Sequence, residues 1–195
     1  MFVEPKKAKS ILNEAYTHNP GPWRDHSLNV AIAAMSIAKR TEKLNPEKAY
    51  SLGLLHDIGR IKGVTSMRHI YDGYMYLSKL GFDENAKVCL THSFPIRIIE
   101  SYNGANDCTP QEGKVSFIAD YITSCEYNDY DRLIQLCDAI ALPTGICILE
   151  KRLFDVALRN GVNEYTVDKW KAFIGLKEYF DNVIHCDVYG LFENT

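Results

Sequence analysis

A histidine and an aspartate, His56 and Asp57, stand side by side in an apolar run that begins at Leu54 and ends at Ile58. Burying an imidazole or a carboxylate without a partner is costly, so this pair differs from the apolar residues of an ordinary hydrophobic core. Both groups are ligands of first-row divalent cations. We therefore expect the chain to fold around a metal ion that these two side chains bind.

The segment that carries the pair is predicted to be one helix over residues 46–59. Asn45 provides the N-cap, and Pro46 occupies the first turn, where a missing N–H costs nothing. Neighbouring side chains on a helix point about 100° apart, so the pair can bracket one ion or lean toward two. Helical side chains slant toward the N-terminus, which puts Asp57 over the turn of Gly53. The missing side chain of Gly53 is expected to leave room for an ion.

The remaining periodicity predicts an all-α protein. Apolar residues recur at helical spacing, Gly and Pro separate the segments, and strand-like alternation is scarce. Residues 102–112 are rich in Gly, Asn and Asp and are predicted to form a surface loop that could act as a lid. The predicted helices cover residues 7–16, 26–43, 46–59, 66–80, 83–92, 111–124, 129–142, 146–160 and 166–183.

Length and composition indicate one domain. With 195 residues, of which 46% are hydrophobic, the chain is long enough for one sizeable core and short for two ordinary domains. We therefore predict a single helical domain over residues 1–195. Its bundle core is expected at residues 23–145, and residues 146–195 are expected to form a C-terminal helical extension.

The charge balance argues against two classes of partner. The chain has 22 basic and 25 acidic residues, so neither a nucleic-acid groove nor an anionic membrane surface is expected. The six cysteines show no C-x-x-C spacing, which favours reduced thiols. A signal-like apolar segment and a stretch of membrane-spanning length are both missing, and we expect a cytoplasmic protein. The sequence carries no signal for an oligomeric state.

Four of the six histidines fall on separate predicted elements of the first half of the chain, namely His26, His56, His69 and His92. One buried histidine is most often a hydrogen-bonded packing residue. Four of them in or beside apolar helices, together with an adjacent aspartate, favour a metal site.

A further carboxylate is needed, because neutral imidazoles and one aspartate leave most of the charge of a divalent ion uncompensated. Asp138 lies in the apolar run 133–142, where a lone acid needs a cation. Asp120 is the rival, although it shares its helical face with Ser116 and Ser124, as a solvated residue does. We favour Asp138 and keep Asp120 as the alternative.

His26, the pair His56-Asp57 thirty positions later and a late Asp138 together resemble the pattern of the HD-domain superfamily of metal-dependent phosphohydrolases. The resemblance covers residues 26–142, and the run Leu-Leu-His-Asp-Ile-Gly followed by a basic residue is its most specific local part. His69 and His92 make the chain similar to the members with two metals.

The resemblance implies a helical domain with two metal sites that share Asp57. One ion would be held by His26, His56, Asp57 and Asp138, and the other by Asp57, His69 and His92. Two departures from the family pattern matter. Arg60 stands where lysine is common, and the long interval before Asp138 leaves Asp120 open as the last ligand. Residues after Gly145 lie outside the resemblance and are predicted to be packing helices.

The activity that the resemblance implies is that of a metal-dependent phosphohydrolase, which cleaves a phosphate ester or a nucleotide through a metal-activated water. Asp57 and Arg60 are its candidate catalytic residues, and Arg60 is also the candidate for binding the substrate phosphate. The cofactor would be one or two divalent ions, from Fe, Mn, Co, Mg or Ni. The partner would be a small phosphorylated substrate such as a nucleotide. Two alternatives keep the same fold, a di-iron oxygenase on the same ligands and a nucleotide sensor without catalysis.

Overall fold

The structure is a computed structural model that describes residues 1–192 and is all-α, as the periodicity predicts, apart from one short hairpin. Within that range the α-helices are α1 (Pro5–His18), α2 (Trp23–Ala38), α3 (Pro46–Leu55), α4 (Arg68–Lys79), α5 (Asp83–Thr91), α6 (Lys114–Ser124), α7 (Asp129–Ile140), α8 (Leu149–Asn160) and α9 (Thr166–Ile184). Strands β1 (Ala141–Leu142) and β2 (Gly145–Ile146) pair antiparallel between α7 and α8. Short 3-10 helices cover Ile58–Lys62, Ile99–Ser101, Pro110–Glu112 and Val188–Leu191.

Two polar side chains shape the connection between α2 and α3. The hydroxyl of Thr41 donates to the carbonyl of Ala38, and α2 ends there instead of at the predicted Lys43. The side chain of Asn45 then accepts hydrogen bonds from two amides in the first turn of α3. This cap begins α3 at the position that the sequence predicts.

The predicted helix over residues 46–59 is too long. α3 ends at Leu55, a turn carries His56 and Asp57, and the 3-10 helix Ile58–Lys62 follows. The ring nitrogen Nδ1 of His56 donates to the carbonyl of Gly53 at 2.7 Å. In a longer helix that carbonyl would accept from the amide of Asp57. The ring bond therefore helps to end the helix at the position where the two candidate ligands stand.

Gly53 does not leave space for an ion, contrary to the expectation from the sequence. A Cβ at this position would lie 2.6 Å from the Cα of Ala31 in α2 and 2.8 Å from its amide nitrogen. The glycine instead lets the backbones of α2 and α3 approach closely. His26 in α2 and His56 directly after α3 lie at this side of the fold, with ring centroids 5.3 Å apart.

The core lies on both sides of the α2 and α3 pair. One apolar cluster joins the pair to α7, α8 and α9 and includes Leu52, Ile134 and Phe180. A second cluster joins the pair to α1, α4 and α5 and includes Leu12 and Leu55. The pair is therefore packed from two directions, which fixes the helix ends that carry the candidate ligands. In residues 1–192, no helix combines the length and the apolar content needed to cross a bilayer.

Candidate metal centre

Several helix ends converge beside the α2 and α3 pair, and they carry the six side chains that the sequence nominates as ligands. The six are His26 and His69 in the first turns of α2 and α4, His56 and His92 directly after α3 and α5, Asp57 beside His56, and Asp138 in the last turn of α7. All are buried except Asp138, which is partly exposed. The structure brings them together in three overlapping sets, His26-His56-Asp57, His56-His92-Asp138 and Asp57-His69-His92. These sets form two groups, one around Asp138 and one around Asp57.

The first group is built around Asp138 and two imidazoles. The Oδ1 atom of Asp138 lies 2.9 Å from Nε2 of His26 and 3.7 Å from Nε2 of His56. One ligand atom each of His26, His56 and Asp57 also lie within 4.8 Å of one another. These four side chains could hold one divalent cation, because imidazole nitrogen and carboxylate oxygen are its usual donors.

The second group shares Asp57 with the first. The Oδ1 atom of Asp57 lies 3.0 Å from Nε2 of His69 and 3.7 Å from Nε2 of His92. The two Nε2 atoms are 3.4 Å apart. These three side chains could hold a second cation, and Asp57 lies between the two groups, where the resemblance implies a bridging ligand.

Backbone carbonyls select the tautomer of three imidazoles. In His56, His69 and His92, Nδ1 faces the carbonyl of the residue three positions earlier, and the distances are 2.7 Å for His56 and 2.9 Å for His92. A carbonyl can only accept, so Nδ1 carries the hydrogen and the neutral ring keeps its lone pair on Nε2. Metal-binding histidines are commonly held by such a bond at the other ring nitrogen.

The Nε2 atom of His56 shows that the residues present fit a metal. It is buried and has no hydrogen-bond partner among the described residues, and Oδ1 of Asp138 is 3.7 Å away. A buried ring nitrogen without a partner is destabilising. A cation bound through its lone pair would satisfy this atom.

The electrostatics of the centre favour neutral rings at His56 and His92 and charged carboxylates at Asp57 and Asp138. Burial lowers the pKa of His56, and it lowers the pKa of His92 to about 3. Burial alone would raise the pKa of Asp57, but the guanidinium of Arg60 and neighbouring imidazoles hold that pKa well below its usual value. The pKa of Asp138 is lowered as well, against the effect of burial, by its hydrogen bond to an imidazole. These protonation states are the ones that metal binding requires.

Gly59 allows α4 to approach the centre. A Cβ at Gly59 would overlap the backbone carbonyl of His69 and would lie 2.6 Å from the amide nitrogen of Gly73 in α4. The 3-10 segment Ile58–Lys62 and α4 therefore touch backbone to backbone. This contact positions His69 beside Asp57.

The two candidates for the last carboxylate lie in different environments. Asp138 faces His26 and His56 at the distances given above. Asp120 is exposed on α6 and belongs to none of the His and Asp groups found in the described residues. The geometry therefore favours Asp138 over Asp120.

Arg60 pairs with a candidate ligand. Its Nε donates to Oδ2 of Asp57 at 2.6 Å, and its Nη1 donates to the carbonyl of Thr65 at 3.0 Å. The sequence assigns Arg60 to the substrate phosphate and does not predict this ion pair. The two roles are compatible, because Arg60 also lines the cavity over the centre and Nη2 makes no hydrogen bond within residues 1–192.

A cavity of about 820 Å³ opens over the centre. Its wall includes residues 19–23, at the start of α2, and residues 102–105 of the predicted lid loop. Helices α8 and α9 contribute further wall residues, among them Leu153 and Phe173. A cavity of this size lies within the range of small-molecule sites.

Sequence reasoning missed the cationic residues that α8 and α9 add to this cavity. Arg152 and Arg159 share the carboxylate of Asp155, at 3.4 Å and 2.8 Å. Lys169 is only 6% exposed and lies one turn before the buried Phe173 on α9. This spacing is visible in the sequence and puts the lysine on the apolar face of its helix, which is a usable signal.

Comparison with known proteins identifies one family. The family model described as HD domain matches residues 23–141. That range carries all six side chains of the candidate metal centre. No curated protein and no solved structure matches the chain.

Proposed function

Because the chain belongs to the HD domain family, we propose that it is a metal-dependent phosphohydrolase acting on a small phosphorylated compound such as a nucleotide. The family consists mostly of metal-dependent phosphohydrolases. The observation that carries the proposal is the arrangement of four histidines and two aspartates in overlapping groups beside a cavity.

In this proposal the two groups of side chains hold one divalent cation each. When bound, such ions supply Lewis acidity, which acidifies a water molecule and offsets the charge of a phosphoryl group. The donor set favours Fe, Mn, Co or Ni over Mg, because imidazole nitrogens suit transition metals and Mg prefers oxygen.

The residues of the chain have separate tasks in the proposal. Asp57 would contribute to both metal sites. Arg60 binds Oδ2 of Asp57, and Oδ1 faces His69. The carbonyls behind His56, His69 and His92 keep each Nε2 directed at the centre, so little reorganisation is needed when a ligand arrives. Lys169, the cationic residue of the cavity wall without an ion pair among the described residues, favours an anionic substrate.

Metal-dependent hydrolysis is the direct test. Protein purified without chelator would be analysed for metals and then assayed with nucleotides and phosphate monoesters in the presence of each candidate ion. We expect phosphate release that stops when a chelator removes the metal and returns when the metal is restored. Asp57→Asn should be inactive under all conditions, because both groups lose their shared ligand.

Two outcomes would replace the proposal. If every phosphorylated compound is inert while protein loaded with iron consumes oxygen together with an organic substrate, the di-iron oxygenase takes its place. If nucleotides bind and none is turned over with any metal, the protein is a nucleotide sensor. Anaerobic purification with metal analysis would detect bound iron and so test the first of these outcomes.

A further inference from the structure

Lys169 is the cationic residue of the cavity that no carboxylate neutralises within residues 1–192. The other cationic side chains of the wall each face a carboxylate, which is Asp57 for Arg60 and Asp155 for both Arg152 and Arg159. The ammonium of Lys169 donates to the backbone carbonyl of Ser101 at 3.1 Å, and no carboxylate of the described residues lies within ion-pair distance of it. Its charge therefore has no ion-pair partner in this part of the chain.

The burial of this ammonium makes the missing partner important. Lys169 is 6% exposed, and Thr166 and Phe173 lie beside it on the buried face of α9. Removing a charge from water is strongly unfavourable unless an opposite charge and hydrogen bonds replace the water. The aromatic ring of Tyr102 lies 6.0 Å away, at the outer limit of a cation–π contact, and replaces little of it.

The position of Lys169 connects it to the metal centre. The lysine lines the same cavity as His26, Asp57 and Asp138. Burial lowers the pKa of Lys169 to about 8, and the carboxylate of Asp138 counters part of that effect. The ammonium therefore stays mostly charged at neutral pH and lies within electrostatic reach of the first group of ligands.

The hydrogen-bonding capacity of Lys169 is also largely unused. An ammonium has three N–H donors, and one of them is taken by the carbonyl of Ser101. Within the described part of the chain, the other two have no acceptor. A ligand in the cavity that carries negative charge and several acceptor oxygens would satisfy both.

We propose that Lys169 is a substrate-binding residue that donates hydrogen bonds to the non-bridging oxygens of a substrate phosphate bound in the cavity. This inference rests on the proposed function and extends it to a helix outside the matched family range. A phosphate group matches the site, because it combines negative charge with three acceptor oxygens, and an ammonium binds it as a compact charge.

Lys169 and Arg60 have different partners in this arrangement. Two nitrogens of Arg60 are engaged by Asp57 and by the carbonyl of Thr65, so its main contact is with a ligand of the metal. Lys169 makes one hydrogen bond, to the carbonyl of Ser101, and contacts no candidate metal ligand, so within the described residues its other two N–H groups are free to bind the anion. We therefore expect phosphate affinity to depend more on Lys169 than on Arg60.

Removal of the buried charge of Lys169 should weaken phosphate binding but should not destabilise the phosphate-free fold. Without a phosphate, Lys169 is a buried charge with one neutral partner, and an apolar side chain of similar length should pack better beside Phe173. Replacement of buried charges by apolar residues is often neutral or stabilising. Lys169→Met should therefore leave the melting temperature of the phosphate-free protein unchanged or raise it by a few degrees.

The experiment measures binding of inorganic phosphate to protein loaded with Mn²⁺, by isothermal titration calorimetry. Lys169→Met should weaken phosphate binding by about ten- to a hundredfold, since a charge-assisted hydrogen bond is lost. Its metal content should equal that of the unchanged protein. The matched control is Lys171→Met on the same helix, where the side chain is 73% exposed and pairs with Asp168, and this variant should bind phosphate normally.

Each outcome has a defined meaning. A phosphate affinity of Lys169→Met within twofold of the unchanged protein overturns the inference, and so does a failure of the unchanged protein to bind phosphate. If Lys169→Met does not fold, phosphate binding is measured for Lys169→Gln, which can still donate to Ser101. At least about tenfold weaker binding supports the inference, and an affinity within twofold of the unchanged protein overturns it. If phosphate binding depends on Lys169 but no phosphorylated compound is hydrolysed, the proposed function fails and the anion site stands. If hydrolysis occurs and Lys169→Met binds phosphate normally, this inference alone fails.

Discussion

Arg60 and Asp57 form an ion pair in which Nε of the guanidinium lies 2.6 Å from Oδ2 of the carboxylate. The other oxygen of Asp57, Oδ1, lies 3.0 Å from Nε2 of His69. The two oxygens of one carboxylate are thus divided between a cation of the protein and the candidate metal centre. Arg60 acts in this way as a positioning residue for the side chain that both ligand groups share.

Arg60→Gln should keep its metal but lose activity. Neither a guanidinium nor an amide is needed as a ligand, so metal content at saturation should match that of the unchanged protein. Loss of a charge-assisted contact should lower kcat/KM on a phosphorylated substrate by about ten- to a hundredfold. If Arg60 acts mainly through Asp57, kcat falls while the phosphate Kd stays within a few-fold, and Arg60→Lys recovers part of the rate. Full activity of Arg60→Gln would contradict both roles.

Asp138→Ala and Asp120→Ala form a matched pair for the identity of the last ligand. Asp138 contacts His26 and approaches His56, whereas Asp120 is exposed on α6. We expect Asp138→Ala to lose bound metal in elemental analysis and Asp120→Ala to retain it with full activity. The reverse result would transfer the role to Asp120.

The candidate ligands could be identified from the sequence because their chemistry conflicts with their context. Histidine and aspartate are rarely buried without a partner, and His26, His56, Asp57 and Asp138 all interrupt or flank apolar helical runs. That conflict is visible without any knowledge of the fold. It names the residue types that need a cation, although not the distances between them.

Other features of the site depend on contacts between distant parts of the chain. α3 ends at Leu55, and Nδ1 of His56 donates to the backbone carbonyl of Gly53 there. Gly53 itself lets the backbone of α2 pass close beside α3. Local periodicity contains neither fact. The exposure of Lys169 to the cavity likewise depends on Ser101 lying beside α9. The sequence shows only that this lysine lies on an apolar helix face.

Gly59→Ala should disrupt the second ligand group. The added Cβ would overlap the carbonyl of His69, which is backbone and cannot move without shifting α4. We expect unfolding in urea to show a loss of at least about 2 kcal/mol, together with a lower metal stoichiometry. The control is Gly175→Ala in α9, where a Cβ meets nothing within 4 Å, and it should gain about 0.5–1 kcal/mol. Equal stability of the two variants would rule out the close approach.

Metal-free protein should lose stability as the pH falls from about 6.5 to about 3. The folded pKa of His92 is lowered to about 3 by burial, against an ordinary value of 6.5. Between these values the unfolded chain binds the extra proton, so unfolding becomes easier as the pH falls. His92→Asn should flatten this part of the stability curve, measured by denaturant unfolding at each pH. His18→Asn, at an exposed position of α1, should follow the unchanged protein, and an unaltered curve for His92→Asn would contradict the prediction.

The second ion should depend on His69 and His92. Their Nε2 atoms lie 3.0 Å and 3.7 Å from Oδ1 of Asp57. The first group keeps His26 and His56, which face Asp138 at 2.9 Å and 3.7 Å. His69→Ala should therefore reduce the metal content from about two ions per chain to about one, with the helical circular dichroism unchanged. If the two ions stabilise charge that develops only in the transition state, kcat should fall more than substrate affinity. A metal content equal to that of the unchanged protein would make His69 a packing residue. A higher KM with kcat preserved would assign the second group to substrate recognition.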